Sequence, residues 1–512
     1  MYVFIFMIAL IFMASVVEGN NIVLIIADDL DVVLDGMVPL QNTRNIIGVP
    51  GATYTNCFVA SPICCPNRAS ILTGKYQHNH LTFNNSISGG CSNSHWQRNF
   101  ETQTFATILK EQKDYNTFYA GKYLNQYGTK AAGGSRYVPP GWDWWLGLVG
   151  NSKYFDYFLS INGTEKKYGN NTDDYLTDVI AKQAVNFING PRNNEKPFLM
   201  VLSPPAPHAP FTPAPRHNNK YVNIKAKKTP NFNTGPQANK HWLVRMGPSP
   251  LPQSILPELD NVYRRRWETL LSVDELIMKV YQALKAKNIL NNTYIIFTSD
   301  NGYHIGQFSL PVDKRQPYET DIRVPLLIRG PGIVPSKIIA PVSSVDLFAT
   351  ILQMGGVEMP SDGVTMLNKN ISIDRTLLIE YRGEHSNHPN DECPNDDANL
   401  SQCHKEMACK CEDSLNNTYA CIRRISKDLN NIFCVFEDDE KYIEAYNLSA
   451  DPNQMNNIGY TMKRKLRYRF KKRLKSMVRC HDYKCIRTKR RLSSKSKTHN
   501  ESDLSYNLRR ML

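Results

Sequence analysis

The chain has 512 residues, 41% of them hydrophobic and 21% charged. That balance excludes a wholly disordered protein and allows a large core divided over two domains. The net charge of +14 is uneven: Lys463–Leu512 holds 19 Lys+Arg against 3 Asp+Glu, a net of +16, which leaves −2 for the rest of the chain. The positive charge therefore belongs to the C-terminal end, where it suits an anionic polysaccharide, a nucleic acid or a membrane surface as readily as a merely solvated segment.

Met1–Val17 is apolar, has no charged side chain, and is followed by Glu18 and Gly19. It is short and N-terminal for a membrane span and reads as a cleaved signal peptide over residues 1–19, with an uncleaved anchor as the minor alternative because no Lys or Arg precedes the apolar run. No other long apolar run exists, so no stable membrane span is expected. Glycosylation sequons stand at Asn84, Asn162, Asn170, Asn291, Asn370, Asn399, Asn416, Asn447 and Asn500. Six of the 12 cysteines cluster at Cys393, Cys403, Cys409, Cys411, Cys421 and Cys434, and Cys480 and Cys485 follow. In an oxidising compartment this reads as disulfides; zinc is disfavoured because Cys409-x-Cys411 lacks the Cys-x-x-Cys spacing. Entry into the secretory pathway in turn disfavours nucleic acid as the partner of the basic end.

Asn21–Ala27 is almost continuously apolar, as a strand buried on both faces of a mostly parallel sheet would be. It ends in Asp28-Asp29, adjacent carboxylates where open α/β sheets bind ligands and where a hard cation would sit. Ser61–Tyr76 reads Ser-Pro-Ile-Cys-Cys-Pro-Asn-Arg-Ala-Ser-Ile-Leu-Thr-Gly-Lys-Tyr. Pro66 suits a first helical turn and Gly74 a helix stop. Cys64 then lies at a helix N-terminus, which favours an anion, with Arg68 one turn on along the same face. The bland alternative is that Cys57, Cys64 and Cys65 are structural cysteines on a loop.

Lys122 follows the short apolar run Phe118–Gly121, with Asn125 just beyond. Thr172–Ile188 shows helical spacing behind Asp173 and Asp174. Phe198–Leu202 reads as a strand breaking into a Pro-rich loop that holds His208. His217–Pro257 reads as a long surface excursion, and Tyr263–Leu290 as a core-facing helix. Thr293–Thr298 repeats the buried-strand pattern and ends in Ser299-Asp300-Asn301-Gly302, so Asp28, Asp29, Asp300 and Asn301 could share one sheet edge as an oxygen cage for Ca2+ or Mg2+. Lys314 sits in a polar loop before Tyr318-Glu319. A short helix is expected over Asp346–Met354, a strand over Arg375–Tyr381, and a strand with a turn within Val435–Pro452.

Cys64, Pro66 and Arg68, followed by Leu72-Thr73-Gly74, closely resemble the sulfatase signature. The resemblance implies an alkaline phosphatase-like α/β sandwich with a large mixed central sheet over residues 20–370. A smaller C-terminal α+β domain with disulfides follows over 371–475, then a basic tail over 476–512. It implies that Cys64 is converted to formylglycine (3-oxoalanine) by a formylglycine-generating enzyme. It also implies that Asp28, Asp29, Asp300, Asn301 and position 64 bind Ca2+, and that Arg68, Lys122, His208 and Lys314 are catalytic. Asn125 would contact the sugar or sulfate; Asn67 stands where the family usually has Ser. Cys64–His80, Gly121–Asn125, Tyr303–Tyr318, Cys411–Cys421 and Tyr446–Ile458 resemble the branch that removes 6-O-sulfate from N-acetylglucosamine of heparan or keratan sulfate. The implied partner is thus a sulfated glycosaminoglycan, and the implied destination the lysosome, or secretion. Two rival readings are a phosphodiesterase of the same superfamily and a secreted non-catalytic protein that binds sulfated glycans.

Overall fold

The computed structural model describes residues 19–190, 196–367, 371–384 and 405–486. Residues 1–18 of the expected signal peptide, Cys393, Cys403, the sequons Asn370, Asn399 and Asn500, and the tail from residue 487 lie outside them.

Ten strands form the central sheet: β1 Asn21–Ala27, β2 Ala52–Tyr54, β3 Asn116–Gly121, β4 Trp144–Leu148, β5 Tyr157–Ile161, β6 Thr164–Tyr168, β7 Phe198–Ser203, β8 Thr293–Ser299, β9 Leu326–Arg329 and β10 Ser336–Ile338. Their spatial order is β10-β2-β9-β8-β1-β7-β3-β4-β5-β6. The middle five, β8-β1-β7-β3-β4, are parallel, and antiparallel pairs flank them on both sides. The sheet is therefore mixed, with a parallel heart. β1, β7 and β8 are buried along their whole length, which is why they read as unbroken apolar runs.

The main helices are α1 Cys64–Thr73, α2 Phe105–Lys113, α3 Leu176–Asn189, α4 Leu256–Ala286, α5 Asp346–Met354 and α6 Arg464–Met477. One core lies between the sheet and α1, α2 and α5; a second lies between the opposite face and α3 and α4. Two helix expectations shift. The Thr172 segment opens as a separate 3-10 turn, Thr172–Asp174, and the α-helix begins only at Leu176. α4 begins at Leu256, seven residues before the expected Tyr263, because Pro257 is tolerated in its first turn rather than ending the preceding loop.

A second, antiparallel sheet holds β11 Arg375–Tyr381, β12 Tyr419–Ile425, β13 Asn430–Phe436 and β14 Ile443–Asn447 in sequence order. The single strand expected in Val435–Tyr446 is two: β13 ends at Phe436 and the chain turns before β14. α6 covers the outer face of this sheet. The expected disulfides are present: Cys421–Cys434 crosses β12 and β13, Cys480–Cys485 closes the turn after α6, and Cys409 and Cys411 are also disulfide-bonded. Ordered chain therefore continues beyond 475, through a short helix at Tyr483–Ile486. No helix among the described residues is long and apolar enough to cross a membrane.

Strand β3 must pass very close to β7 to deliver Lys122. Gly121 makes this possible: it has φ +110°, and a Cβ there would lie 2.0 Å from Ser203 O. Gly121→Ala is expected to cost at least about 1–3 kcal/mol of backbone strain and to lower the midpoint of chemical denaturation. An unchanged midpoint would show that the two strands can separate freely.

Candidate active site

The site forms at the carboxyl edge of the parallel strands, facing the N-terminus of α1. Ile63, extended at φ −154°, leads into Cys64, and Gly74 ends α1 at φ +66° with its N–H bonded to Ser70 O. A side chain on Gly74 would strike the Phe348 ring at 2.7 Å. Cys65 is committed to a disulfide with Cys91, which the sequence did not reveal, whereas Cys64 keeps a free thiol. That thiol is buried, and its sulfur lies 3.7 Å from Asp29 Oδ1. Burial pushes it up to about 12 despite Lys122 and Lys314, so it stays neutral at pH 7.

Three buried carboxylates meet three buried cations. Lys122 Nζ lies 2.8 and 3.0 Å from the two oxygens of Asp28. Lys314 Nζ lies 2.7 Å from Asp29 Oδ2, and Arg68 Nε 2.7 Å from Asp300 Oδ2. Arg68 Nη2 is 3.5 Å from Asp28 Oδ1 and makes no hydrogen bond among the described residues. Burial alone would raise the Asp28 carboxyl, but Lys122, His208, Arg68 and Lys314 together hold it well below the usual carboxylate range.

Backbone geometry makes the carboxylates converge. Asp29 is left-handed at φ +70°, and its N–H donates to Asp300 Oδ1 at 3.0 Å. Asn301 Nδ2 donates to Asp29 Oδ1 at 2.7 Å, while Asn301 Oδ1 is buried without a hydrogen-bond partner among the described residues. Oxygen atoms of Asp28 and Asp29, Cys64 Sγ and a His208 nitrogen lie within 4.8 Å of one another. His208 was not among the ligands expected from sequence. Asp300 stands at the rim of that group, tied in through Arg68 and two backbone N–H groups.

His208 Nδ1 lies 2.7 Å from Ala209 O, and Nε2 is 4.0 Å from Asp29 Oδ2. Burial holds this imidazole down to about 4, so the ring is neutral at pH 7 and its Nδ1–H donates to Ala209 O. Asn125 is buried as well, its Oδ1 unpartnered among the described residues. Asp28, Asp29, Cys64, Arg68, Lys122, His208, Asp300, Asn301 and Lys314 thus gather in one place.

Three supporting groups have partners distant in the chain; of these, Ser152 and Arg266 carried no sequence signal, and Asn67 was visible only as a departure from Ser within the motif. Ser152 Oγ donates to Asp28 Oδ2. Asn67 Nδ2 donates to Asp300 O. Arg266, on α4, donates from Nη2 to Asp29 O at 2.8 Å and to Asp31 Oδ1 at 3.1 Å, and from Nη1 to Pro207 O at 3.3 Å. One guanidinium so braces both the Asp28-Asp29 turn and the loop holding His208, with its plane 4.1 Å from the Tyr303 ring centre. Of the described sequons, Asn162, Asn170, Asn291 and Asn447 are exposed and Asn416 half-buried. Asn84 is buried, its Oδ1 accepting from Ser86 N–H and Oγ.

Residues 20–357 match the family model described as Sulfatase. The chain is 47% identical to an N-acetylglucosamine-6-sulfatase of Capra hircus, over 91% of this chain and 84% of that protein. It is 46% identical to the Homo sapiens protein of the same name, over 91% and 85%. Among solved structures it resembles a protein captured with its substrate D-glucosamine-2-N,6-O-disulfate, with TM-score 0.70, 23% identity, and coverage of 90% of this chain and 97% of that one.

Arg266→Ala would leave the buried Asp31 carboxylate without its cation, and is expected to cost about 3–5 kcal/mol in denaturant unfolding. Adding Asp31→Asn should recover part of that loss, because the stranded charge is gone. Additive losses in the double variant would show that the pair is not coupled.

Proposed function

The chain belongs to the sulfatase family, and on that footing we propose that it removes 6-O-sulfate from N-acetylglucosamine residues of heparan or keratan sulfate. The similarity over nine-tenths of the chain to proteins named for that reaction supports the substrate class. The chemistry rests on one observation: Cys64 is a buried thiol outside any disulfide, at a helix N-terminus, facing three carboxylates and three cations. A thiol held protonated is a poor nucleophile. This supports the reading in which a formylglycine-generating enzyme oxidises Cys64 in the secretory pathway, so that the hydrated aldehyde presents a hydroxyl to the sulfur.

Asp28, Asp29, Asp300 and Asn301, with the oxygen then at position 64, would hold Ca2+. The donors are hard oxygens, and the unpartnered Asn301 Oδ1 suits such an ion. Bound there, the ion would supply positive charge against the sulfate oxygens. Arg68, Lys122 and Lys314 act likewise from the protein side. Each is already fixed on a carboxylate, so little reorganisation is needed when an anion arrives. His208, once protonated from solvent at Nε2, gives that proton to the departing sugar oxygen and returns to the neutral imidazole. Asn125 Oδ1 accepts a hydrogen bond from a sugar hydroxyl. The compartment we propose is the lysosome, with secretion as the second possibility.

Peptide mass spectrometry of the secreted protein across Cys57–Lys75 is expected to show the mass loss of thiol-to-aldehyde conversion at Cys64, and Cys64→Ala to abolish turnover of N-acetylglucosamine 6-sulfate. An unmodified thiol in active protein overturns the formylglycine assignment. His208→Gln should lower kcat on that sugar sulfate by roughly 10²–10⁴-fold, and should slow 4-nitrophenyl sulfate far less, since its phenolate leaves without a proton. Equal losses on both substrates would remove His208 from proton transfer.

A further inference from the structure

Helix α6 buries Phe470, Leu474 and Met477 against the outer face of the second sheet, with the Phe470 ring 5.5 Å from that of Phe433. The rest of the helix is cationic. Arg464–Met477 contains eight Lys and Arg and no Asp or Glu. Lys465, Arg469 and Lys472 lie at i, i+4 and i+7, so they line one face, and all three are exposed. Arg464, Lys471 and Lys475 are exposed alongside them.

This arrangement works against the isolated helix. Lys465 and Arg469, and Lys471 and Lys475, are like charges one turn apart. Arg464 and Lys465 stand at the positive end of the helix dipole with no acid in the first turn. A polyanion laid along the face would relieve both penalties. The run from Lys465 to Lys475 rises about 15 Å, the scale of an extended oligosaccharide rather than of a single small anion. The remainder of the protein outside Lys463–Leu512 carries −2, so the attraction is local to this end.

The basic face is also built into the catalytic body. Just beyond α6, Cys480 is fixed by its bond to Cys485, and its carbonyl lies 2.8 Å from His78 Nε2 and accepts from Asn79 Nδ2 at 2.9 Å. Asp482 N–H donates to Asp362 Oδ1, and Asp362 Oδ2 accepts from Tyr76 N–H at 2.7 Å. Tyr76, His78 and Asn79 belong to the segment that directly follows α1, the helix that presents Cys64 and Arg68.

We propose that the exposed face of α6 is a docking surface for the sulfated polysaccharide chain, holding sulfated units beyond the sugar at the active site. The inference rests on the reading that the substrate is a glycosaminoglycan.

The test is charge reversal in the full-length protein, Lys465→Glu/Arg469→Glu/Lys472→Glu. Glu is a good helix former and complements the dipole near the N-terminal end, so the fold is retained. Circular dichroism checks this, and a triple Gln variant at the same positions should give an intermediate effect. The expected result is elution from immobilised heparin at lower NaCl and roughly tenfold or weaker affinity for a heparin dodecasaccharide at physiological salt. KM for a sulfated oligosaccharide should rise, while turnover of N-acetylglucosamine 6-sulfate is unchanged. Unaltered heparin elution overturns the proposal. So does heparin binding that is lost only on removing residues 487–512, or a loss confined to phosphatidylserine vesicles. If the monosaccharide sulfate is not turned over and heparin affinity still drops on charge reversal, the docking surface stands and the substrate reading falls.

Discussion

Everything in the site follows from the need to pair buried charge. Asp28, Asp29 and Asp300 are fully buried, and an unpaired carboxylate there would cost several kcal/mol. Each therefore has its own cation: Lys122, Lys314 and Arg68. The parallel heart of the sheet makes the pairing possible. Four neighbouring strands, β8, β1, β7 and β3, all end on one edge and deliver Asp300, Asp28 with Asp29, His208 and Lys122 respectively. Antiparallel neighbours would send alternate groups to opposite edges. The same pairing makes the site ready for an anion, because the positive groups are already dehydrated and aimed before substrate arrives.

The smaller sheet is part of this arrangement. Lys314 directly follows the two-residue strand Val312–Asp313, which pairs antiparallel with His304–Ile305, and the next residue anchors it. Arg315 N–H donates to Pro62 O, beside α1, at 3.1 Å; Arg315 O accepts from Tyr419 OH at 2.9 Å; and Arg315 Nη2 reaches Glu384 at 3.1 Å. A further bridge runs through His304, which lies 3.0 Å from Asp321 on one side and 3.2 Å from Glu412 on the other. The long excursion after His208 is tied to the same sheet. Buried Lys240 donates to Tyr446 OH at 2.7 Å with its ammonium 3.9 Å from the Phe308 ring centre, and His241 N–H donates to Glu444 at 2.7 Å. The second sheet thus contacts the residue beside a cation of the site directly.

Wherever chemistry is written locally, the sequence was legible. Asp28-Asp29 and Asp300-Asn301 each follow a buried apolar run, and such runs end at the carboxyl edge of a parallel sheet. Pro66 and Gly74 bracketed α1 through their own backbone preferences. Long-range groups left no trace. Arg266 looked like one more polar residue on an amphipathic helix, and its value comes from Asp29, Asp31 and Pro207, none of them near in sequence. Ser152 and the Cys65–Cys91 bond were invisible for the same reason. The early start of α4 was missed because Pro257 serves equally as a loop residue or as the first turn of a helix.

Asn67 shows how such a hidden contact alters the reading of a visible motif. In sequence it is only the position within Cys-x-Pro-x-Arg that departs from Ser. In the fold it is fully buried and joins three segments. Its Nδ2 donates to Asp300 O, and its Oδ1 accepts from Ala60 N–H at 3.0 Å and from Ser344 Oγ. A serine hydroxyl could donate only one hydrogen bond and, being shorter, could not span the gap that the amide fills at both ends. The Asn therefore binds the helix that presents Cys64 directly to the backbone of Asp300 and to the chain entering α1. Removing the amide would leave Asp300 O without that donor inside a buried site. The departure from the usual residue is compensated inside the folded protein by contacts only an amide can make.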